Sequence, residues 1–210
     1  MTEANPSPEA IALHTRGRDA GQRGELAEAL TLLTQAAMLA PGWPNPVYDR
    51  AFTHLLMRNS EAALADYERT LQLAPRGFFT ASAAVHTLRR EQRGELPAGF
   101  YVGYLSLEHM DATERNDVVR QLVEKVPSFA PAWLDFAKIA DSAEERLRRI
   151  DRGLDADADS ETHAWLMLNK AMTLQQLGQS AAAEAILKDL ANEHSPLAIE
   201  SWARVLLTQK

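Results

Sequence analysis

Six histidines, at positions 14, 54, 86, 109, 163 and 194, are the side chains best suited to hold a metal or move a proton near neutral pH. No two stand four residues apart and none opens a His-Glu-x-x-His motif, so no helix face presents a paired ligand set. Ordinary surface or interface histidines are the better reading. The chain has no cysteine, which removes thiolate chemistry and disulfides and fits a reducing compartment. It carries no Gly-x-Ser-x-Gly elbow and no glycine-rich phosphate loop. One acidic run needs weighing. Asp155, Asp157, Asp159 and Glu161 alternate with small residues as in a calcium loop. Such a loop wants glycine at its sixth position and glutamate at its twelfth, where this chain has Ser160 and Leu166. A solvated turn is expected there, with no metal and no cofactor, and no residue is predicted to be catalytic.

The elements that would position any site are helical. Alanine and leucine dominate the 210 residues and β-branched residues are sparse. A net charge of −7 and a pI near 5.4 argue against nucleic acid as the main partner. The opening MTEANPSPEA has neither an apolar core nor a basic flank, so it does not read as a secretory signal. No stretch approaches the roughly 20 apolar residues that span a bilayer. A cytoplasmic protein without membrane insertion is the expectation.

Two prolines set the register. Pro41 and Pro75 are 75 − 41 = 34 residues apart. That offset lays Ala29 on Ala63, Leu30 on Leu64, Leu39 on Leu73 and Ala40 on Ala74, with Gly17 on Ala51 and Leu33 on Tyr67. A fixed period of this length marks stacked helical hairpins, because one such unit cannot bury its own apolar face. Ala51 and Ala63 fall mid-helix on the apolar faces, where a methyl group lets two helix axes approach closely. Arg50 is placed to pair with Asp66 on the partner helix.

With those residues in view, the repeat resembles the tetratricopeptide repeat. That family has small residues at its eighth, twentieth and twenty-seventh positions and proline at the thirty-second. Counting from Pro44 these are Ala51, Ala63, Thr70 and Pro75, and counting from Ala10 they are Gly17, Ala29, Ala36 and Pro41. The resemblance covers residues 10–75 closely and the remainder loosely. It implies an all-α, right-handed array of about five helical hairpins and eleven or twelve helices, without strands.

Along the chain, residues 1–6 read as a tail and 7–210 as one repeat domain. The closest repeats are 10–43 and 44–77, followed by degenerate units over 78–130, repeats over 131–159 and 162–195, and a capping helix over 197–208. Gln92-Arg93-Gly94-Glu95-Leu96 copies Gln22-Arg23-Gly24-Glu25-Leu26, so a third hairpin is expected, with its second helix running from Pro97 to His109. Glycines 99 and 103 make that helix the least secure, since each costs about 1 kcal/mol against alanine. Its aromatic residues Phe100, Tyr101 and Tyr104 are the chain's best material for a ligand-sensing or enzymatic alternative. Trp43, Trp133, Trp165 and Trp202 are assigned to packing. In the capping helix, Ile199, Trp202, Val205 and Leu206 are expected to cover the last apolar face.

The resemblance also implies a function. Its family generally holds an extended peptide or helix of another protein on the concave face, without catalysis. The first-helix positions that face that side select His14, Arg18, Asn45, Tyr48, Phe52, Phe79, Ser82, His86 and Arg89. The lysine and asparagine set of the family's carboxylate clamp is missing. What remains is an aromatic centre flanked by basic residues. The implied partner is a peptide with an apolar anchor beside acidic residues or a free C-terminal carboxylate. Self-association through an exposed apolar terminal face is the other structural reading.

Overall fold

A computed structural model describes residues 5–208, so residues 1–4 of the expected tail lie outside it. The fold is all-α, with twelve α-helices and no strand among the described residues. The chain forms two compact units, Met1–Leu105 and Ser106–Lys210. The boundary falls inside the segment 78–130, where the repeat pattern is most worn.

The first unit holds α1 (Pro8–Gln22), α2 (Leu26–Leu39), α3 (Pro44–Leu56), α4 (Ser60–Leu73), α5 (Ala81–Gln92) and α6 (Phe100–Leu105). Local chemistry starts these helices. Ser7 accepts a hydrogen bond from the Ala10 amide at 3.2 Å and Pro8 opens α1. Asn59 does the same for α4 through the Ala62 amide. The 34-residue register then decides the packing. Ala29, Ala36, Ala51, Ala63 and Thr70 are all fully buried. Gly17 sits where a Cβ would lie 2.9 Å from Leu33 Cγ, so glycine is needed for α1 to meet α2. At the equivalent place in the next hairpin, Ala51 and Tyr67 are both in the core.

The third hairpin departs from expectation. The helix predicted over Pro97–His109 is two pieces, α6 and a single 3-10 turn, Ser106–His109. Pro97 offers no N–H, and Gly99 takes a left-handed φ of +79° that a continuous helix cannot contain. Glu91 near the end of α5 restarts the chain. Its carboxylate accepts the Gly99 amide at 2.7 Å and the Tyr101 amide at 2.8 Å, satisfying donors that a helix start leaves open. Tyr101 is buried in the core of the unit and Tyr104 packs against it, so these rings are used in packing.

The second unit holds that turn, α7 (Ala112–Lys125), α8 (Ala130–Lys138), α9 (Ala143–Leu154), α10 (Ser160–Gln176), α11 (Ser180–Leu190) and α12 (Leu197–Thr208). Asp159 explains part of the acidic run. It caps α10, accepting from the Glu161 and Thr162 amides at 3.0 and 3.1 Å. Arg149 ties α9 to α8, lying 3.6 Å over the Phe136 ring and donating to the Phe136 carbonyl at 2.7 Å. Gly153 admits the close approach of α8 and α10, since a Cβ there would be 2.9 Å from both Trp133 Cβ and Leu166 Cδ2.

The terminal helix corrects one expectation. Ile199 and Ala203 are fully buried, and Leu206 and Leu207 pack with them. Trp202 and Val205 point the other way and are exposed. The reason is helical phase: 199, 203, 206 and 207 form one stripe at 3.6-residue spacing, and 202 and 205 belong to the opposite one.

Candidate functional site

All nine residues selected from the sequence fall in the first unit. Their settings differ sharply. His14 on α1 is buried, donates from Nε2 to Asp49 Oδ2 of α3 at 2.6 Å, and meets the Trp43 ring edge-on at 4.7 Å. It is an interface histidine. Arg18, one turn further along α1, is exposed, with Nε 3.8 Å from the same Asp49 carboxylate. Asn45 is half-buried at the start of α3.

Tyr48 is the hub of the surface. Its hydroxyl bonds to Thr80 Oγ1 at 2.8 Å. Its ring meets Tyr67 at 5.5 Å, Phe78 at 5.5 Å and Phe79 at 5.3 Å between centroids. Phe52, one turn on from Tyr48 along the same face of α3, is exposed. Burial among these rings pushes the Tyr67 phenol well above its ordinary value, so it stays a neutral wall of the cluster.

Phe79 is unusual in two respects. Its φ of +48° lies in the left-handed region, which side-chain-bearing residues rarely adopt, and the ring is 66% exposed. It belongs to the turn before α5, because α5 begins only at Ala81. The sequence reading placed it on a first helix. The chain Pro75-Arg76-Gly77 stops α4 and turns, with Gly77 at φ +90°, and the helix resumes late. Ser82 and His86 on α5 are half-buried. Arg89 is exposed and donates to Glu68 Oε1 of α4 at 2.8 and 3.2 Å.

The structure therefore joins Tyr48 to Phe79, and His14 to Arg18 through Asp49. It adds Phe78, Thr80, Asp49 and Glu68, which the sequence reading did not select. The Phe78-Phe79 doublet behind a turn signal was the available clue to the first of these. The basic flanks are not bare cations, since Arg18 and Arg89 each face a carboxylate. Deeper in the unit, Arg50 makes the forked pair with Asp66 that the repeat register predicts, at 2.7 and 2.6 Å. That hydrogen bonding holds the Arg50 guanidinium above its already high ordinary pKa. The pair is a brace between α3 and α4.

The hairpins α1–α2 and α3–α4 keep the 34-residue spacing of buried small residues. No family model and no curated protein matches the chain. Among solved structures, residues 41 to the end of MamA from Desulfovibrio magneticus RS-1 are 15% identical with a TM-score of 0.40, over 95% of this chain and 98% of that one. YrrB, described as a tetratricopeptide protein with an unusual peptide-binding site, is 15% identical at 0.39, over 95% and 92%. TTC0263 from Thermus thermophilus, a thermophilic tetratricopeptide protein, is 18% identical at 0.39, over 94% and 99%. No helix among the described residues is long and apolar enough to cross a membrane.

Proposed function

We propose that the protein is a non-catalytic interaction module, and that the Tyr48–Phe52–Phe79 surface of its first unit binds a peptide or helical segment of another protein. One observation carries this reading. Phe79 holds a large ring two-thirds exposed on a strained backbone, packed on a tyrosine that is itself fixed by Thr80. Its ring contacts with Tyr48 and Phe78 do no more than offset the strain of the left-handed backbone, so stability gives little net reason to keep a phenylalanine there. Fixed aromatic rings give contact area at small entropic cost, which is what a partner surface needs.

The anchor of the partner is apolar or aromatic, seated against Phe79 and Phe52. Acidic groups or a terminal carboxylate beside that anchor reach Arg18 or Arg89. Each arginine then exchanges one carboxylate for another. Exposed ion pairs of this kind contribute only about 0–1 kcal/mol, so the exchange is cheap in stability.

Selection of displayed peptides on the immobilised full chain tests this, with both free and blocked C-termini in the library. The expected result is enrichment of peptides with an apolar anchor next to acids, whose affinity falls at least about tenfold on Phe79→Gly and less on Arg89→Glu. Selected peptides that bind both variants as tightly as the parent would refute the assignment.

A further inference from the structure

The apolar ridge on α3 runs on past Phe52. Tyr48, Phe52 and Leu56 stand at i, i+4 and i+8, one above another on one side of the helix. Phe52 and Leu56 are both exposed, Leu56 by 43%. The other side of α3, with Val47, Ala51 and Leu55, is buried. From Tyr48 to Leu56 the ridge rises about 12 Å, and Phe79 extends it beyond Tyr48. Beside it lies α1, tied to α3 by the His14–Asp49 contact. That helix shows Ile11, 46% exposed, and the exposed Arg18 seven residues on, again on one side.

We propose that the segment taken by this surface is an amphipathic helix lying along α3, with apolar residues at i, i+4 and i+7 and acids beside them. This rests on the reading of the aromatic surface as the partner site. Two observations favour a helix over an extended strand. The first is the use of polar groups. A strand laid along the ridge brings an unpaired N–H or C=O with every residue. The polar side chains beside the ridge are already engaged. The Tyr48 hydroxyl bonds Thr80, the Asp49 carboxylate accepts from His14 and faces Arg18, and Ser82 and His86 have partners. Asn45 adds one half-buried carboxamide at one end. A helix satisfies its own backbone and needs only apolar contact. The second is breadth. Exposed apolar groups come from two neighbouring helices, Ile11 on α1 and Phe52 and Leu56 on α3. Packed helix axes lie about 8–10 Å apart. A helix about 10 Å across touches both, whereas a strand, spaced at about 5 Å, covers one. Charge sets the edges. Arg18 belongs to α1 and Arg89 to the helix after Thr80, and these meet α3 through Asp49 and Tyr48. Acids therefore belong on both edges of the partner's apolar stripe.

Two fluorescent peptides of about sixteen residues, with leucines at i, i+4 and i+7 and glutamates beside them, test this on the full chain by anisotropy. One carries alanine at its outward positions. The other carries a central outward proline, which breaks a helix and leaves the apolar and acidic side chains unchanged. The alanine peptide is expected to bind at least about tenfold tighter, and Phe79→Gly and Leu56→Glu each to weaken it at least about tenfold. Met57→Glu places the same charge just past the end of α3, off the ridge, and is expected to leave the affinity unchanged. Equal or tighter binding of the proline peptide, or equal effects of Leu56→Glu and Met57→Glu, would overturn the helix. The aromatic site itself survives that result as long as Phe79→Gly still weakens binding. Failure of both peptides to bind, while display-selected peptides bind through Phe79, would also overturn the helix alone. Absence of any Phe79-dependent binder would overturn the site and the helix together.

Discussion

The hairpin α3–α4 and the hairpin α5–α6 begin alike and end differently. Both first helices bury alanine and leucine in one core, with Ala51 and Leu55 in the first and Ala84 and Leu88 in the second. The return helix is 14 residues in α4 and 6 in α6. In the first pair a continuous helix with Ala63 and Tyr67 fills the space, braced by Arg50 and Asp66. In the second, Pro97 and Gly99 interrupt the chain, Glu91 restarts it, and Tyr101 fills the core. The contrast teaches that a six-residue return helix, anchored by Glu91 and burying Tyr101 with Val102, Tyr104 and Leu105 packed beside it, closes the core where α4 uses fourteen residues.

The largest expected effect lies in the intact hairpin. Ala51→Trp or Ala63→Trp forces an indole into a fully buried position between helices and should destabilise by at least about 3 kcal/mol. For a chain of this length that is a fall in Tm of about 6 °C or more, measurable by calorimetry. A change under about 2 °C would mean that the register is wrong.

Next comes the interrupted hairpin. Glu91→Ala leaves the Gly99 and Tyr101 amides without their acceptor and should cost about 1–2 kcal/mol. Amide exchange at those two positions should accelerate about tenfold while exchange in α4 is unchanged. Equal acceleration in both hairpins would deny α6 its separate anchoring.

The turn between the hairpins gives a smaller, two-sided effect. Phe79→Gly relieves a left-handed backbone conformation worth about 1 kcal/mol and loses the contact with Tyr48. Its stability is expected within about 1 kcal/mol of the parent, even as peptide binding falls. A fall of several kcal/mol in urea unfolding would make Phe79 a core residue instead.

The smallest effect compares the two copies of the Gln-Arg-Gly-Glu-Leu turn. Gly24 and Gly94 both take positive φ, and Arg23 and Arg93 both bond the glutamate two residues on. Those hydrogen bonds hold the Glu25 and Glu95 carboxyls below their ordinary values. The sign follows. Each contributes stability above the unfolded carboxylate pKa and loses it as pH falls through the lower, folded value. Carboxyl NMR titration should show both glutamates below 4.5, moving back up in Arg23→Ala and Arg93→Ala. Both pairs are exposed at the surface, so only a slight change in Tm is expected.

The repeat was legible because it is written in side-chain size. Gly17, Ala51 and Ala63 can be read from spacing alone, since a helix crossing excludes anything larger. The Arg50–Asp66 pair followed from the same register. The α6 break was partly legible in Gly99 and Gly103, but the rescue by Glu91 was not, because a carboxylate eight residues away carries no local signature. The aromatic surface was half legible. Tyr48 and Phe52 sit on a helix and obey its period, whereas Phe79 depends on a turn whose left-handed step shifts the start of α5. The exposed side of α12 was misread by phase: Trp202 and Val205 are apolar, and composition alone does not say which apolar stripe faces inward.

The central proposal is that the aromatic surface of the first unit binds the partner. Amide NMR of the labelled full chain, titrated with a display-selected peptide, tests that directly. Shifts concentrated at Tyr48, Phe52, Phe79 and Thr80, absent from α8–α11 and abolished in Phe79→Gly, are the predicted result. Saturable shifts centred in the second unit, with those four positions unmoved, would contradict it.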